Sequence, residues 1–256
     1  MPKPRVALFI PCYINTLFPN VGMATLTLLE RFGYDVEYPD KQTCCGQPFA
    51  NSGAHDEARP LAEHFVRTFS GYDYIVAPSA SCVGMVRNHY DPYVGDDPAY
   101  AHIQATTYEV LEFLHDVVRP ESFGVSFPHS VTVHQSCHGL RELELGVSSE
   151  RMLPYQNKVL NLLAKVDDID LREMERADEC CGFGGTFSVH EPEISTRMGT
   201  DKLDNAEATE AEYLAGFDSS CLMHLQGIAQ RQNREIKFVH VAEILAGTAG
   251  GLLNEG

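Results

Sequence analysis

Two short stretches of the chain, "QTCCGQPF" at residues 42–49 and "DECCGFGG" at residues 178–185, each place a glycine directly after two adjacent cysteines. Glycine accounts for only 20 of the 256 residues, so a glycine after both pairs is improbable by chance. A pattern that recurs with its flanking residues indicates an internal duplication. The sequence therefore predicts a chain built from two related halves.

The remaining cysteines extend this repeat. All eight fall into two quartets of one order, namely a single cysteine, the adjacent pair and a last cysteine. The first quartet is Cys12, Cys44, Cys45 and Cys82, and the second is Cys137, Cys180, Cys181 and Cys221. The flanks repeat too, since "VALFIPC" resembles "VTVHQSC" and "TYEVLEFL" at 107–114 resembles "VHVAEILA" at 239–246. We expect halves at residues 1–122 and 123–256, each of ordinary domain size.

The composition excludes several classes of function. A formal net charge of −17 leaves no basic cluster for a nucleic-acid backbone or an anionic membrane surface. The apolar run at residues 6–10 is too short for a signal peptide, and no later run is long enough for membrane insertion. We therefore expect a cytoplasmic protein, whose reduced cysteines are metal ligands or redox groups rather than structural disulfides.

Segments rich in β-branched and aromatic residues alternate with segments of helical periodicity. The predicted strands are 6–10, 34–38 and 72–77 in the first half, and 131–135, 169–174, 213–217 and 236–239 in the second. The predicted helices are 20–32, 58–69, 156–165, 193–208 and 221–232, with one more after the last strand. This alternation predicts an α/β fold of two pseudo-symmetric halves, each a small parallel sheet flanked by helices.

The predicted topology turns the cysteine pattern into a site. In each half, the single cysteine follows the first strand, the adjacent pair follows the second and the last cysteine follows the third. The carboxyl ends of parallel strands share one edge of the sheet, where open α/β sheets bind ligands. We therefore expect one metal centre per half, with all eight cysteines as ligands.

The cysteine spacing also bears on the kind of metal. Small zinc sites usually contain C-x₂₋₄-C hairpins, which neither quartet has. Adjacent cysteine side chains diverge, so both reach one site only where the chain turns sharply, as Gly46 and Gly182 permit. An iron–sulfur cluster accommodates divergent thiolates better than a single ion. The pattern favours an iron–sulfur cluster in each half. The alternatives are zinc in one half, a zinc-stabilised scaffold, or a thiol–disulfide redox protein.

Three histidines lie near the cysteine motifs. His138 directly follows Cys137, and His224 lies three residues after Cys221. Each is a candidate to bind a metal or to donate a hydrogen bond to a cluster sulfur. Gly46 and Gly182 are further candidates to support a cluster from beside its ligands. His134 lies within a predicted strand, and we expect it to be a core residue with its hydrogen bonds satisfied.

Several motifs resemble those of a known family. They are "NVGMATLTLLERFG", "CCGQPFANSG", "APSASC", "CCGFGGTFSV" and "CLMH". Together with the duplicated cysteine pattern, they are similar to the cysteine-rich CCG-domain proteins, which include the cysteine-rich component of heterodisulfide reductase and the glycolate oxidase iron–sulfur subunit. The resemblance covers essentially the whole chain. It implies that the two cysteine quartets hold one [4Fe–4S] cluster in each half.

The resemblance also implies a role in metabolism. It indicates an iron–sulfur subunit of an L-lactate oxidation system, transferring electrons as this small 2-hydroxy acid becomes pyruvate. Such an oxidoreductase subunit works with a ferredoxin-like iron–sulfur subunit and a third subunit, and it is not a complete enzyme alone. Relatives of the heterodisulfide reductase type end each motif with C-x-x-C, whereas this chain has Ser79 and Asp218 there, and Ser219 replaces a further cysteine of many relatives. Four thiolates per half suit a standard [4Fe–4S] cluster.

Overall fold

The computed structural model describes residues 3–154 and 156–249. In this part of the chain, each half contains a four-stranded sheet in which all neighbouring strands are parallel. The first sheet comprises β1 (Arg5–Leu8), β2 (Asp35–Glu37), β3 (Tyr74–Ala77) and β4 (Thr107–Glu109). The second comprises β5 (Ser130–His134), β6 (Asp170–Leu171), β7 (Tyr213–Gly216) and β8 (Lys237–His240). The predicted α/β class with two repeated halves is confirmed.

The two sheets share one topology. Their strand orders are β2-β1-β3-β4 and β6-β5-β7-β8, so the first strand of each half lies between the second and the third. The register repeats as well, because Val6 lies beside Tyr74 in the first sheet and Val131 lies beside Tyr213 in the second. The duplication seen in the sequence is therefore also a duplication of strand order and register.

Helices fill the connections between strands. In the first half they are α1 (Cys12–Leu17), α2 (Pro19–Arg31), α3 (Gln47–Asn51), α4 (His55–Phe69), α5 (Ala80–Asn88), α6 (Asp91–Val94), α7 (Tyr100–Thr106) and α8 (Val110–Phe113), before a π-helical turn at Leu114–Val118. In the second half they are α9 (Cys137–Arg141), a 3₁₀ turn at Ser149–Arg151, α10 (Lys158–Leu163), α11 (Phe187–His190), α12 (Pro192–Glu207), α13 (Ser219–Arg231) and α14 (Val241–Ala246). The predicted helices are present, with ends shifted by at most three residues.

Local chemistry explains two of the helix ends. α2 ends before Gly33, whose φ of 84° is the left-handed conformation that glycine adopts readily. α4 begins at His55, three residues earlier than predicted. The acidic residues Asp56 and Glu57 favour the first turn of a helix, and the helix continues through Pro60 in its second turn, where proline removes one backbone hydrogen bond.

The strand prediction was incomplete for the first half. β4 was not predicted, because only three residues are extended and the apolar run that follows forms α8. In the second half, segment 169–174 is extended only at Asp170–Leu171.

The last strands of the two sheets end at matching positions. β4 and β8 end at Glu109 and His240, each paired with the last residue of its neighbouring strand. Glu109 and His240 therefore occupy matching positions in the two sheets. The sequence alignment of 107–114 with 239–246 differs from this structural match by one residue.

The last helix joins the second half to the first. α14 packs against α2, and the Arg31 guanidinium donates hydrogen bonds of 3.1 and 2.7 Å to the carbonyl oxygens of Leu245 and Ala246. A cation at this end of a helix satisfies carbonyl groups that lack helical partners. The buried hydrophobic side chains of both halves form one continuous core. The boundary between residues 122 and 123 stays a prediction.

Within residues 3–154 and 156–249, none of the helices combines the length and the apolar character that a bilayer crossing requires.

Candidate metal centre

The first cysteine quartet gathers at the carboxyl ends of its strands. Cys12 begins α1 after β1, Cys44 and Cys45 precede α3 after β2, and Cys82 lies in the first turn of α5 after β3. The Sγ atoms of Cys12 and Cys44 are 3.7 Å apart. The Cys45 thiol in turn forms hydrogen bonds with the thiols of Cys44 and Cys82. Four sulfur atoms from three loops therefore form one continuous group.

The second quartet repeats this arrangement. Cys137 begins α9 after β5, Cys180 and Cys181 follow β6, and Cys221 lies in the first turn of α13 after β7. Cys180 forms side-chain hydrogen bonds with Cys137 and Cys181, and Cys181 forms one with Cys221. The order of sulfur contacts is the same as in the first half.

A glycine shapes the turn at each adjacent pair. Gly46 and Gly182 have φ values of 82° and 89°, which residues with a Cβ rarely adopt. Their backbone N–H groups donate hydrogen bonds of 3.4 Å to the Sγ atoms of Cys44 and Cys180, respectively. Each turn therefore directs two thiols to one site and also stabilises negative charge on one of them.

The thiols of a quartet influence one another's protonation. The pKa of Cys44 is lowered to about 3, chiefly because the Cys12 thiol donates a hydrogen bond to its sulfur. The pKa of Cys180 is lowered for the same reason, with Cys137 as the principal donor. The pKa values of Cys12 and Cys137 are raised in return. Each half thus contains one sulfur prepared as a thiolate, the form in which cysteine binds metals.

Both quartets open into one cavity between the halves. The cavity has a volume of about 260 Å³, and all eight cysteines line it. Its described lining includes no lysine or arginine, and Asp218 is the one carboxylate among those residues. The site therefore combines eight sulfur donors with a lining in which the described residues include no lysine or arginine.

Two side-chain pairs cross from one half to the other at this cavity. The rings of Tyr13 and Phe183 meet edge to face, with centroids 6.0 Å apart. In the other pair, the Gln47 Nε2 and the His138 Nε2 are 3.2 Å apart. Tyr13 corresponds to His138 in the repeat, and Gln47 corresponds to Phe183, so the duplicated positions have become one aromatic pair and one polar pair.

A buried carboxylate also links the two halves. Asp218, 2% exposed, accepts hydrogen bonds from the hydroxyl groups of Ser79, Ser81 and Ser136, at 2.8, 2.9 and 2.5 Å. The Ser81 backbone N–H adds a fourth at 3.2 Å. Ser79 and Ser81 lie just before Cys82, and Ser136 directly precedes Cys137. The network therefore fixes loops of both quartets relative to one another.

The histidines differ from what their sequence positions suggested. His138 lines the cavity, with its Nδ1 3.7 Å from the Cys137 Sγ. His224 is absent from the described cavity lining, and its Nε2 lies 3.4 Å from the Ser195 carbonyl oxygen. His134 was expected to have satisfied hydrogen bonds, and this expectation was wrong. The side chain is fully buried, and neither ring nitrogen has a partner among the described residues.

Sequence reasoning missed several residues of the site. Tyr13, Gln47 and Phe183 were not singled out, although each lies directly after a cysteine motif. Their position relative to the repeated cysteines was an available signal. Asp218 was noted only as a departure from C-x-x-C, because its role depends on serines from the other half that no spacing reveals.

The larger groove in the molecule lies away from the cysteines. Its volume is about 750 Å³, and its described lining contains no cysteine. Two of its cations, Arg87 and Lys158, pair with Glu112 and Asp116, at 2.7 and 2.5 Å. We therefore place the candidate site at the smaller cavity, where the reactive groups converge.

The donor set itself indicates the kind of metal that fits. Four thiols per half, with N–H groups directed at sulfur, suit iron–sulfur clusters, whose sulfurs accept such hydrogen bonds. The same four thiols suit a tetrahedral zinc ion. A metal-binding role fits the residues present.

A duplicated α/β unit that collects CCG thiols at its strand ends defines a class of cysteine-rich protein. The model of the cysteine-rich domain, CCG, matches residues 6–87 and again residues 131–226. The chain belongs to this cysteine-rich CCG domain family.

Close relatives define its place within the family. A lactate utilization protein A of Exiguobacterium is 42% identical over 249 residues, covering 94% of this chain and 97% of the relative. Proteins of the same name from Halalkalibacterium halodurans and Geobacillus thermodenitrificans are 40% and 39% identical, and each match covers 94% of this chain and 96% or 98% of the relative.

A solved structure shares the fold. The crystal structure of a hypothetical protein from Helicobacter pylori matches with a TM-score of 0.63 at 8% sequence identity. The match covers 98% of this chain and 50% of that protein. At this identity the likeness concerns the fold alone.

Proposed function

We propose that this chain is an iron–sulfur subunit of an L-lactate utilisation system, with one [4Fe–4S] cluster in each half. It transfers electrons as L-lactate is oxidised to pyruvate. The observation that carries the proposal is the convergence of two complete thiol quartets on one cavity. The relatives named lactate utilization protein A supply the metabolic context.

Each cluster would be held by the four cysteines of one half. The first set is Cys12, Cys44, Cys45 and Cys82, and the second is Cys137, Cys180, Cys181 and Cys221. A bound cluster supplies one-electron transfer, at a potential that hydrogen bonds and solvent exposure adjust. The Gly46 and Gly182 N–H groups donate to ligand sulfurs. The rings of Tyr13 and Phe183 line the cavity and contact each other edge to face.

We further propose that another component of the system binds lactate. Oxidation of lactate to pyruvate releases two electrons and two protons, and lactate is an anion at neutral pH. A carboxylate ligand is usually bound by arginine or lysine, and the described cavity lining has neither. The subunit therefore accepts electrons singly and passes them on, working in the cytoplasm with a ferredoxin-like iron–sulfur subunit and a third subunit. It is not a complete enzyme alone.

A zinc-stabilised scaffold is the second candidate, and one distance favours it. The Sγ atoms of Cys12 and Cys44 are 3.7 Å apart. Two sulfurs bound to a tetrahedral zinc ion at about 2.3 Å lie roughly 3.8 Å apart. Iron, sulfide and zinc must therefore be measured on the same samples.

The test is metal and sulfide analysis of anaerobically purified and reconstituted protein. Wild type is compared with Cys45→Ser and Cys181→Ser, and the exposed substitution Ala101→Ser serves as the control. We expect a brown wild type with two clusters, loss of about one cluster in each cysteine variant, and no loss in the control.

Three outcomes would contradict the proposal. Unchanged iron in both cysteine variants would reject the ligand assignment. A colourless protein with stoichiometric zinc would establish the scaffold instead, and redox activity that survives complete metal removal would indicate thiol–disulfide chemistry.

A further inference from the structure

We propose that His134 contributes a ring nitrogen to the metal centre of the second half, so that the two centres differ chemically. The inference rests on the proposed function only in requiring that the second quartet binds a metal. It adds a nitrogen donor to a site that the cysteine pattern describes with sulfur alone.

The first argument is burial without a hydrogen bond. His134 is 1% exposed at the end of β5, and both its Nδ1 and its Nε2 lack a partner among the described residues. Buried polar atoms in proteins are nearly always hydrogen-bonded, and those that are not usually belong to a functional site or meet an ion. Two such atoms on one ring indicate that something else binds there.

The second argument is the position of the ring. A ring nitrogen of His134 and the Sγ atoms of Cys181 and Cys221 all lie within 4.8 Å of one another, and all three residues are buried. Bonds of about 2.0 Å to nitrogen and 2.3 Å to sulfur bring such atoms roughly 3.5–4 Å apart around a tetrahedral ion. A small inward movement of these side chains therefore brings one nitrogen and two sulfur donors to a common ion and leaves one tetrahedral position for another thiol of the quartet.

The third argument comes from the other half. Alignment of "VALFIPC" with "VTVHQSC" places Phe9 at the position of His134. Phe9 is fully buried and packs edge to face on Phe65 and Phe69, with ring centroids 5.0 and 5.6 Å away. The same position is thus hydrocarbon beside the first quartet and imidazole beside the second. A residue needed only to fill the core would not require the imidazole.

The neighbouring histidines do not offer the same donor. His138 faces the cavity and contacts Gln47, and His224 contacts Ser195. Both have partners of their own. His134 therefore differs from them in having two unpartnered nitrogens beside buried thiols.

The test uses Co²⁺ as the probe, because this ion is paramagnetic and occupies both zinc-type and thiolate-rich sites. Full-length metal-free protein is loaded anaerobically with Co²⁺, and nitrogen coupling is recorded by pulsed electron paramagnetic resonance. Wild type labelled with ¹⁵N-histidine reports the imidazole without any substitution. We expect strong histidine coupling on one of the two Co²⁺ centres.

His134→Phe introduces the side chain of the first half and is the decisive variant. We expect the nitrogen coupling to be lost and Co²⁺ at that centre to bind at least about tenfold more weakly. His138→Gln is the matched control and keeps the coupling. If circular dichroism shows that His134→Phe is unfolded, His134→Gln replaces it, and the isotope-labelled wild type shows independently whether any histidine binds the ion.

The outcomes separate this inference from the proposed function. Coupling that persists in His134→Phe, coupling lost in His138→Gln, or its absence from fully loaded wild type would overturn the role of His134. Histidine coupling in a protein that takes up no iron and sulfide would keep that role and reject the cluster proposal. A wild type that binds neither Co²⁺ nor iron would overturn both.

Discussion

The two halves have the same strand order, the same register and the same sulfur positions, yet the residues around the sulfurs differ. The differing matched positions are Phe9 and His134, Tyr13 and His138, Gln47 and Phe183, and Ser79 and Asp218. The comparison teaches that duplication preserved the framework that places thiols, while the adjacent residues diverged. Similar quartets therefore have different environments.

The divergence is complementary between the halves. Tyr13 contacts Phe183, and Ser79 donates a hydrogen bond of 2.8 Å to Asp218. The first contact joins positions that do not match in the repeat, and the second joins two matched positions. The cavity consequently needs both halves, and neither half has the complete set of contacts by itself.

The largest loss of stability is expected at a glycine of the CCG turns, and the two matched glycines differ. A Cβ at Gly182 would lie 2.5 Å from the Ser195 carbonyl oxygen and 2.7 Å from the Met198 Cβ. A Cβ at Gly46 would have its nearest neighbour, in Leu61, 3.5 Å away. We expect Gly182→Ala to lower the free energy of unfolding by about 3–4 kcal/mol, through left-handed strain and overlap, and Gly46→Ala by about 1–2 kcal/mol.

Urea unfolding of the metal-free proteins measures both effects under one condition. Equal losses for the two alanine variants would show that the turns are equally tolerant and would remove this difference between the halves.

A smaller loss of stability is expected at Asp218, again compared with its counterpart Ser79. Asp218→Ala removes the acceptor of four hydrogen bonds and leaves buried hydroxyl groups without a partner carboxylate. We therefore expect it to lower the free energy of unfolding by about 3 kcal/mol. Ser79→Ala removes one bond to Asp218 and a cap to the Cys82 N–H, with a loss of about 1 kcal/mol. Thermal and urea unfolding of the two variants test the order.

A double variant sharpens this comparison, because bonded partners are not additive. If Asp218→Ala with Ser79→Ala costs the sum of the single losses, the two residues do not share a network.

An effect smaller than that of Asp218→Ala concerns pH and the matched residues His240 and Glu109. Burial lowers the pKa of His240 to about 4, while the same cause raises the pKa of Glu109 well above its usual range. Below pH 6.5 the unfolded chain protonates a histidine that the folded chain keeps neutral, so His240 lowers stability by about 2 kcal/mol between pH 7.5 and 5. Glu109 acts oppositely, because its folded form retains a proton that the unfolded form loses as the pH rises above about 4.5.

Urea unfolding at pH 5 and 7.5 separates the two contributions. His240→Asn keeps a side-chain acceptor for the Ala242 N–H and should lose less stability than wild type on acidification. Glu109→Gln should gain stability relative to wild type as the pH rises. Parallel pH dependences for wild type and His240→Asn would contradict the first expectation.

Much of the fold was predictable because its signals are local and repeated. Periodicity and the CCG duplication indicated two parallel α/β halves and sulfur positions at the strand ends. β4 was missed because three extended residues before an apolar helix carry too little local signal. Asp218 as a link between the halves was not predictable, since its partners are more than 80 residues away in sequence.

The sequence by itself determined the duplication, the α/β class and the family to which the chain belongs, because repeated motifs and periodicity are properties of neighbouring residues. Only the tertiary structure decided that both quartets face one cavity, that Tyr13 meets Phe183, and that His134 is buried with no partner among the described residues. The physical reason is that these features arise where two sheets and their helices pack together. Contacts between distant segments depend on packing geometry, which sequence spacing does not encode.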